Sequence, residues 1–296
     1  MALPISVVIC THNRAPLLKG TLLSFNAQNI SRDDFEIVVV DDGSTDGTAA
    51  VVQEISSPVS IRYFRQDHGG RSAARNRGIR EARGDIVLFV DDDTLAPPAF
   101  LSEHLRFHEC HPRSVVRGPI VNIAEYRIPE TYVLGLRDFS SAFFCTCNAS
   151  VERRYLEEIG GFDENFREYG FEDNEIGWRL RQAGLKMKFN KRAIIYHYKP
   201  AITSEGLAAL RLQAEEMGRS AVAYYRKHPS LRVAMATGIF PPQRLIGYLT
   251  SPPWRLDGYT RQFKDPGCDD TRRTILAGKI SRCYYFMTIA ETLRKV

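Results

Sequence analysis

Residues 84–94, GDIVLFVDDDT, are the most informative stretch for the fold. An apolar run here ends in three adjacent carboxylates, Asp91, Asp92 and Asp93. Such a run is typical of a strand that is covered on both faces, as in a parallel sheet. Two like charges about 4 Å apart repel by roughly 4 kcal/mol at an effective dielectric constant of about 20. The stretch therefore predicts a buried strand whose end requires a positive partner.

The alternation of apolar runs and helix-like segments extends over the first hundred residues. Further strand-like runs are ISVVIC at 5–10, FEIVVV at 35–40 and VSIRYFRQ at 59–66. Helix-like segments occupy residues 16–28, 45–55 and 69–82. This alternation predicts an α/β fold with a Rossmann-like, mostly parallel sheet flanked by helices.

Polar residues follow each of the predicted strands. Thr11 and Arg14 follow the first strand, Asp41 and Asp42 the second, and Arg71 the third. Ligands of doubly wound sheets bind beyond the carboxyl ends of the strands. We therefore expect a binding site at this edge of the sheet.

Several common nucleotide-binding motifs are absent from the sequence. No GxGxxG follows the first strand, and no GxxxxGK[ST] loop occurs. Residues 10–18, CTHNRAPLL, also lack the glycine-rich loop of sugar nucleotidyltransferases. These absences disfavour a nicotinamide enzyme, a P-loop ATPase and a nucleotidyltransferase.

The composition is that of a globular protein, with 44% hydrophobic and 25% charged residues among 296. No stretch approaches the roughly 18 uninterrupted apolar residues of a membrane span. The N-terminal residues are interpreted as a strand and not as a signal peptide. The six cysteines form no CxxC pair, which favours buried free thiols over a metal or redox site. We expect a cytoplasmic location and no nucleic-acid partner.

The C-terminal part of the sequence is basic. Residues 229–296 carry eleven Lys or Arg against five Asp or Glu. Within them, residues 269–296 are predicted to form a basic amphipathic helix. Such a helix can lie on the cytoplasmic face of a membrane as a peripheral contact, cap the rest of the protein or form a homodimer. A solvated helical face is the equal alternative.

The carboxylate triplet is also a candidate metal site. Hard oxygen ligands select Mg²⁺ or Mn²⁺, and Mg²⁺ is usually held by one or two carboxylates together with substrate phosphates. A divalent cation is therefore the predicted positive partner. The alternative is a charged cap for a helix that starts near residues 97–98.

A second pair of carboxylates lies in residues 161–184, GFDENFREYGFEDNEIGWRLRQAG. Ile176, Leu180 and Ala183 form a helical apolar stripe, which places Glu172 and Asp173 at the start of the helix. Carboxylates at a helix start interact favourably with the helix dipole, so an ordinary cap is one interpretation of this pair. A functional pair is the other.

Four stretches together resemble the family 2 inverting glycosyltransferases of the GT-A fold. They are PISVVICTHNR at 4–14, IVVVDDGSTDGT at 37–48, GGRSAARNRGIREARGDIVLFVDDD at 69–93 and GFEDNEIGWRLRQAG at 170–184. The resemblance covers roughly residues 4–200. It implies transfer of a sugar from a UDP-sugar donor to an acceptor hydroxyl with the help of Mn²⁺ or Mg²⁺. The expected acceptor is a glycan, a lipid-linked molecule or a small molecule.

The resemblance also implies which residues bind the nucleotide. Asp91 is expected to contact the ribose, and Asp41 and Asp42 the uracil and ribose. The full implied set is Thr11, Arg14, Asp41, Asp42, Arg71, Arg75, Asn76, Asp91 and Asp92. For Arg71 and Arg75, structural pairing with Asp41 or Asp91 is the alternative.

The remaining implied roles concern the metal and the transferred sugar. Asp93 and His197 are expected to ligate the metal, although a histidine after a short strand can equally be structural. Asp173 is expected to be the general base, and Glu172 to bind or orient the acceptor. Asn148 and Ala149 are expected to line the sugar pocket. The loop at about 122–142, with Tyr126, Tyr132 and Arg137, is either a mobile lid or a packed surface segment.

These roles predict the domain organisation. Residues 1–203 are expected to form the catalytic domain, with a nucleotide-binding part at 1–121 and an acceptor and base part at 122–203. Residues 204–296 are expected to form a helical, basic extension. The alternative function is a non-catalytic nucleotide-sugar-binding or assembly protein with the same fold.

Overall fold

The computed structural model describes residues 3–295, which fall into two compact units. The first unit comprises residues 3–167 and 173–199, and the second comprises residues 168–172 and 200–295. The assignment of catalytic, acceptor and C-terminal functions to parts of the chain stays a prediction.

The strands of the described residues all belong to the first unit. They are β1 (Ile5–Thr11), β2 (Phe35–Asp41), β3 (Ser60–Arg65), β4 (Ile86–Asp91), β5 (Thr94–Leu95), β6 (Ser114–Arg117), β7 (Ile120–Ile123), β8 (Ala149–Glu152), β9 (Lys186–Phe189) and β10 (Ile195–Tyr198).

The α-helices are distributed over both units. They are α1 (Ala15–Ser24), α2 (Thr48–Glu54), α3 (Arg71–Glu81), α4 (Phe100–Cys110), α5 (Arg153–Glu158), α6 (Glu172–Gln182), α7 (Leu207–Lys227), α8 (Leu231–Ala236), α9 (Pro241–Thr250), α10 (Leu256–Lys264) and α11 (Asp270–Arg294). Short 3₁₀ helices occupy Phe25–Ala27, Arg32–Asp34, Leu136–Asp138 and Pro253–Arg255.

Seven strands form one mostly parallel sheet in the order β3-β2-β1-β4-β8-β6-β9. Strands β1 to β4 run parallel to one another, and β8 runs antiparallel to both β4 and β6. The predicted α/β fold is thereby confirmed. The register places Thr11 beside Asp41 and Cys10 beside Asp91. The ends of β1, β2 and β4 therefore form one continuous edge.

A second, three-stranded sheet has the order β5-β10-β7. Strand β10 is antiparallel to β5, with His197 opposite Thr94, and parallel to β7. The backbone N–H of Tyr198 donates to the carbonyl of Asp93 over 2.9 Å. Because β5 starts directly after the carboxylate triplet, this sheet holds His197 next to Asp93.

Apolar side chains cover both faces of the large sheet. Ile9 of β1 packs on one face with Leu22 of α1, while Val8 packs on the other face with Ile79 of α3. Burying each such side chain stabilises the fold by about 1.5–3 kcal/mol. The apolar runs are continuous and not alternating because neither face of these strands meets water.

The second unit is helical, and α11 is its central helix. Leu276, Ile280 and Cys283 of α11 are buried with Phe263 of α10, and Ile289 is buried further along. The predicted C-terminal helix is thus present at Asp270–Arg294, and most of its apolar side chains pack inside the unit, while Ile275 and Met287 are exposed. Among residues 3–295, no helix combines the length and the apolar character needed to cross a bilayer.

The segment at 168–172 belongs to the second unit through its contacts with α7. Glu168 forms an ion pair with Arg219 at 2.6 Å, and the ring of Phe171 stacks on that of Tyr224.

Candidate functional site

The carboxylate triplet has a positive partner within the chain. The guanidinium of Arg14 lies 2.9 Å from Asp92 Oδ1 and 2.7 Å from Asp93 Oδ2. The hydroxyl of Thr11 donates to Asp92 Oδ2 over 2.7 Å. Thr11, Arg14, Asp92 and Asp93 thus form one cluster, in which a guanidinium already separates two of the carboxylates.

The two buried carboxylates of this cluster differ in their pKa. Burial raises the pKa of Asp92 to about 6, although Arg14 and Thr11 oppose this shift. Burial also raises the pKa of Asp93, but the hydrogen bond and charge of His197, together with Arg14, lower it more, so that it lies below its usual value. Asp93 is therefore the carboxylate that stays ionised and can ligate a cation.

The structure brings Asp93 and His197 together, as the metal prediction requires. His197 Nε2 lies 3.2 Å from Asp93 Oδ1. Asp91, Cys147 and His197 also contribute donor atoms that all lie within 4.8 Å of one another. Carboxylate oxygens suit Mn²⁺ or Mg²⁺, whereas a thiol suits softer metals. The carboxylates of Asp91 and Asp93 thus fit such an ion, and the Cys147 thiol does not. Asp91 is therefore a candidate ligand of the metal as well as a candidate contact of the ribose.

Cys147 is a residue of this site that the sequence interpretation did not assign. Burial and the charge of Asp91 raise the pKa of the Cys147 thiol well above its usual value. Burial, together with the charges of Asp173 and Asp91, raises the pKa of the Cys145 thiol to about 11. All six cysteines are free thiols.

Asp41 is buried at the end of β2 and shapes the loop that follows. Its Oδ1 accepts the backbone N–H of Ser44 over 2.7 Å, and its Oδ2 accepts the hydroxyl of Tyr63. Gly43 has a φ of +83°, and a Cβ there would lie 3.0 Å from the backbone nitrogen of His68. Because both Asp41 oxygens are engaged, the structure favours a loop-positioning role, and uracil contact stays a prediction.

Asp42 connects the end of β2 to the start of α3. Its carboxylate accepts the backbone N–H groups of Gly69 and Gly70, each over 2.9 Å, and the side-chain amide of Gln66 over 2.8 Å. Two exposed imidazoles, of His12 and His68, stand beside this loop with ring centroids 4.6 Å apart. The sequence interpretation assigned neither histidine, although both lie in the polar segments that follow the strands.

Helix α3 connects the sheet edge to α6. Arg71 is exposed in its first turn, while Arg75 is buried and donates to the hydroxyl of Thr146 over 2.7 Å. Arg75 Nη1 lies 3.6 Å from Asp173 Oδ1. Arg75 thus lies close to Asp173, and the pairing of Arg71 or Arg75 with Asp41 or Asp91 stays an alternative.

The side chain of Asn76 is occupied within the protein. Its amide donates to the carbonyl of Phe162 and to Glu164, and its oxygen accepts the N–H of Phe162. These hydrogen bonds fix the segment after α5. Nucleotide contact by Asn76 would break them, so the structure argues against that prediction.

Asp173 is held in place at the start of α6. Its Oδ2 accepts the N–H of Thr146 over 2.8 Å and the hydroxyl of Thr146 over 3.1 Å. Together with Arg75, these donors stabilise the charge of the carboxylate and set its orientation. Thr146 was not predicted; its signal was its position two residues before Asn148, in a segment that leads into a strand. Glu172 is buried and is the first residue of α6.

Asn148 and Ala149, the residues predicted to line the sugar pocket, are fully buried. Both are 0% exposed, so neither faces open space. The amide of Asn148 donates to the carbonyls of Pro119 and Ala193, and its oxygen is 3.0 Å from His104 Nε2. Ala149 is the first residue of β8, inside the sheet. Asn148 therefore braces neighbouring segments, and the structure does not support a sugar pocket lined by this pair.

The loop at 122–142 combines a packed part and an exposed part. The hydroxyl of Tyr126 donates to the carbonyl of Leu17 over 2.6 Å, which fixes this end of the loop on α1. The hydroxyl of Tyr132 is within 3.0 Å of Asp138, and Arg137 is exposed. The contact of Tyr126 agrees with the alternative of a packed surface segment. Lid movement of the part with Tyr132 and Arg137 stays a prediction.

The fold is similar to those of solved glycosyltransferases. The mannosyltransferase PcManGT from Pyrobaculum calidifontis, solved with GDP-Man and Mn²⁺, has a TM-score of 0.64 at 20% identity, over 100% of this chain and 88% of that one. TarS 1-349 from S. aureus, solved with UDP-GlcNAc, has a TM-score of 0.55 at 17% identity, over 99% and 92%. The fold is the GT-A fold of glycosyltransferases.

Sequence comparison leads to the family. The model of glycosyl transferase family 2 matches residues 6–160, and the model described as the N-terminal domain of galactosyltransferase matches residues 131–201. Validoxylamine A glucosyltransferase from Streptomyces hygroscopicus subsp. jinggangensis (strain 5008) is 32% identical over 266 residues, which are 77% of this chain and 61% of that protein. The chain thus spans about three-fifths of this relative's length. The chain belongs to glycosyl transferase family 2.

Proposed function

We propose that the chain transfers a hexosyl or N-acetylhexosaminyl group from a UDP-sugar to an acceptor hydroxyl, with inversion at the anomeric carbon and with Mn²⁺ or Mg²⁺. The observation that carries this proposal is the pairing of Asp93 with His197 at 3.2 Å. The same unit also contains Asp173, whose carboxylate accepts the backbone N–H of Thr146. Sugar transfer from a nucleotide needs both parts: ligands for a cation and a separate carboxylate base.

Asp93 and His197 are the residues that would hold the cation, with Asp91 next to them. When bound, the cation would neutralise negative charge that develops on the departing diphosphate. Arg14 and His197 keep the pKa of Asp93 low, so its carboxylate is ionised at neutral pH. Asp92 accepts hydrogen bonds from Thr11 and Arg14 and thereby helps to fix the position of Arg14 beside Asp93.

Asp173 accepts the proton of the attacking hydroxyl in this proposal. The N–H of Thr146 and the guanidinium of Arg75 orient the carboxylate, and Glu172 binds or orients the acceptor. The acceptor oxygen attacks from the face opposite the diphosphate, which inverts the anomeric configuration. The hydroxyl loses its proton late in bond formation, so an ionised and correctly placed carboxylate suffices.

The nucleotide is expected at the sheet edge. Arg71 is exposed there and can contact phosphate, and the exposed rings of His12 and His68 can stack on the base. UDP is the favoured nucleotide because TarS was solved with UDP-GlcNAc; the GDP-Man complex of PcManGT makes GDP the alternative to test.

A small-molecule acceptor is supported by the name of the validoxylamine relative, and a glycan acceptor by the chondroitin synthase of Escherichia coli, 26% identical over 276 residues. A lipid-linked acceptor, a cytoplasmic location and a homodimer remain predictions.

The test measures release of UDP from UDP-sugars in the presence of Mn²⁺. We expect Asp93→Ala to abolish the release, because the cation loses a ligand. We expect Asp173→Asn to retain UDP binding in calorimetry while transfer and hydrolysis are lost. Asp33→Asn, at an exposed aspartate of the first unit, is the matched control and should retain full activity.

Unchanged release by Asp93→Ala would refute the metal assignment, and full transfer by Asp173→Asn would point to another base. A wild-type protein that binds UDP-sugars tightly but never releases UDP, with any metal or acceptor class tried, would support the non-catalytic alternative.

A further inference from the structure

Four large apolar side chains of the second unit are exposed close together in sequence. Leu245, Ile246 and Leu249 of α9 are 60%, 58% and 69% exposed, and Trp254 after the helix is 78% exposed. We call these four residues the apolar ridge. Exposed apolar groups at this density mark interaction surfaces in globular proteins.

The ridge belongs to a helix that is fixed on its other side. Gly247 of α9 is buried against the ring of Phe286 on α11, and a Cβ at this position would collide with that ring. Leu245, Ile246 and Leu249 are spaced i, i+1 and i+4, so they share one side of the helix, opposite Gly247. The helix therefore presents its apolar side outward while it stays packed.

The chain leading up to the ridge carries an excess of positive charge. Residues 217–256 contain six Lys or Arg and no Asp or Glu, although Arg219 pairs with Glu168 and the exposed Asp257 follows directly. Arg255 is exposed next to Trp254, and Arg282 of α11 donates to the hydroxyl of Thr250 at the end of α9. An apolar surface flanked by arginines is complementary to an anionic lipid surface.

The same charges disfavour a second copy of this chain as the occupant. A symmetric contact through the ridge would bring the arginines of one copy against those of the other. A lipid surface has no such repulsion, and an exposed tryptophan beside a basic group is typical of the interface between headgroups and acyl chains.

We propose that the apolar ridge docks the protein onto the surface of a bilayer that contains anionic phospholipids. The ridge enters the boundary between headgroups and acyl chains, and the flanking arginines, including Arg244 and Arg255, contact the lipid phosphates. Helix α11, which the sequence singled out for such a contact, takes part only through Arg282. The docking is independent of the proposed glycosyl transfer.

The experiment measures co-sedimentation of the full chain with vesicles of phosphatidylcholine alone and of phosphatidylcholine mixed with phosphatidylglycerol. We expect binding to the mixed vesicles that weakens as salt is added, and little binding to phosphatidylcholine alone. Leu245→Ser with Leu249→Ser should weaken binding by about tenfold or more. Arg244→Glu with Arg255→Glu should weaken it by at least about tenfold.

The matched control is Val133→Ser with Leu136→Ser, at apolar residues of the first unit that are 91% and 93% exposed. It should bind vesicles like the wild type. A second readout uses Trp178→Phe, which leaves Trp254 as the only tryptophan. Its fluorescence should shift to shorter wavelength when mixed vesicles are added.

Each contrary result overturns the proposal. These results are no binding of the wild type to mixed vesicles, equal loss of binding in the Val133 and Leu136 control, or an unshifted Trp254 spectrum. Light scattering that shows a wild-type dimer, converted to monomer by the Leu245 and Leu249 variant, would identify a second copy as the occupant instead.

Discussion

Replacing Arg14 with glutamine removes the one guanidinium that touches both Asp92 and Asp93 in the described structure. Losing one partner of a fully buried ion pair costs about 3–5 kcal/mol. The Arg14 side chain is 46% exposed, so water replaces part of the lost interaction. We therefore expect the free energy of unfolding at pH 8 to fall by about 2 kcal/mol, half of the fully buried value.

The loss should depend on pH in a direction set by Asp92. The pKa of Asp92 is about 6 in the folded protein and 3.8 ordinarily. Ionisation of Asp92 therefore lowers the free energy of unfolding above pH 6, and this loss of stability disappears below pH 3.8. Removing Arg14 raises the folded pKa further and enlarges the cost at high pH. Asp93, with its lowered pKa, stays ionised at pH 5 and pH 8. Arg14→Gln should therefore be less destabilising at pH 5 than at pH 8.

The assay is thermal unfolding at both pH values, with and without Mn²⁺. A loss of about 2 kcal/mol corresponds to a decrease of about 4 °C in Tm. Mn²⁺ should raise the Tm of Arg14→Gln more than that of the wild type, because a bound cation replaces the missing positive charge. Arg127→Gln, at an exposed ion pair with Glu125, is the control and should change little.

Two results would refute this reasoning. An equal loss at pH 5 and pH 8 would mean that Asp92 is not the group that requires Arg14. If the Tm of Arg14→Gln does not change when Mn²⁺ is added, the triplet binds no cation in the variant.

Three further predictions follow from the same contacts. Thr146→Val removes the hydroxyl between Arg75 and Asp173, so kcat should fall by about tenfold while KM for the donor stays nearly constant in steady-state assays. Asn76→Ala leaves both backbone groups of Phe162 without their partner; urea unfolding should show a loss of about 1–3 kcal/mol, and calorimetry an unchanged affinity for UDP. His104 is buried and has a pKa of about 3 against an ordinary 6.5, so the unfolded chain takes up its proton first. The free energy of unfolding should therefore fall as pH drops from 6.5 to 4, and His104→Gln should flatten this dependence.

Each of these predictions has a contrary outcome. A Thr146→Val enzyme with normal kcat would show that the hydroxyl does not orient the base. An Asn76→Ala protein with normal stability and weak UDP binding would restore the predicted nucleotide contact. A pH profile of His104→Gln as steep as that of the wild type would assign the acid sensitivity to other groups.

Local pattern was sufficient to predict the four parallel strands β1 to β4 of the large sheet, but not β6, β8 and β9. The apolar runs at 5–10 and 35–40 form β1 and β2, each within one residue of the predicted bounds. Such runs can be recognised from the sequence of one segment, because a strand that is covered on both faces is apolar along nearly its whole length. The edge with Thr11, Asp41 and Asp91 followed in turn, since parallel strands bring their carboxyl ends to the same side of a sheet.

The sequence could not show which side chains at that edge face each other. Asn148 matched a motif position, but its burial depends on segments around Pro119 and Ala193 that are distant in sequence. Helix α11 has the composition of a surface helix, but most of its apolar side chains, including Leu276 and Ile280, are buried in the second unit. Burial and pairing are properties of the packed chain, and no single segment encodes them.

The sequence alone thus determined that strands with polar ends alternate with helices, because hydrophobic periodicity is a local property that each segment shows by itself. Only the tertiary structure decided that Arg14 lies between Asp92 and Asp93, that Arg75 faces Asp173, and that α9 turns its apolar side outward. These depend on distances between residues that lie far apart along the chain, and packing sets those distances.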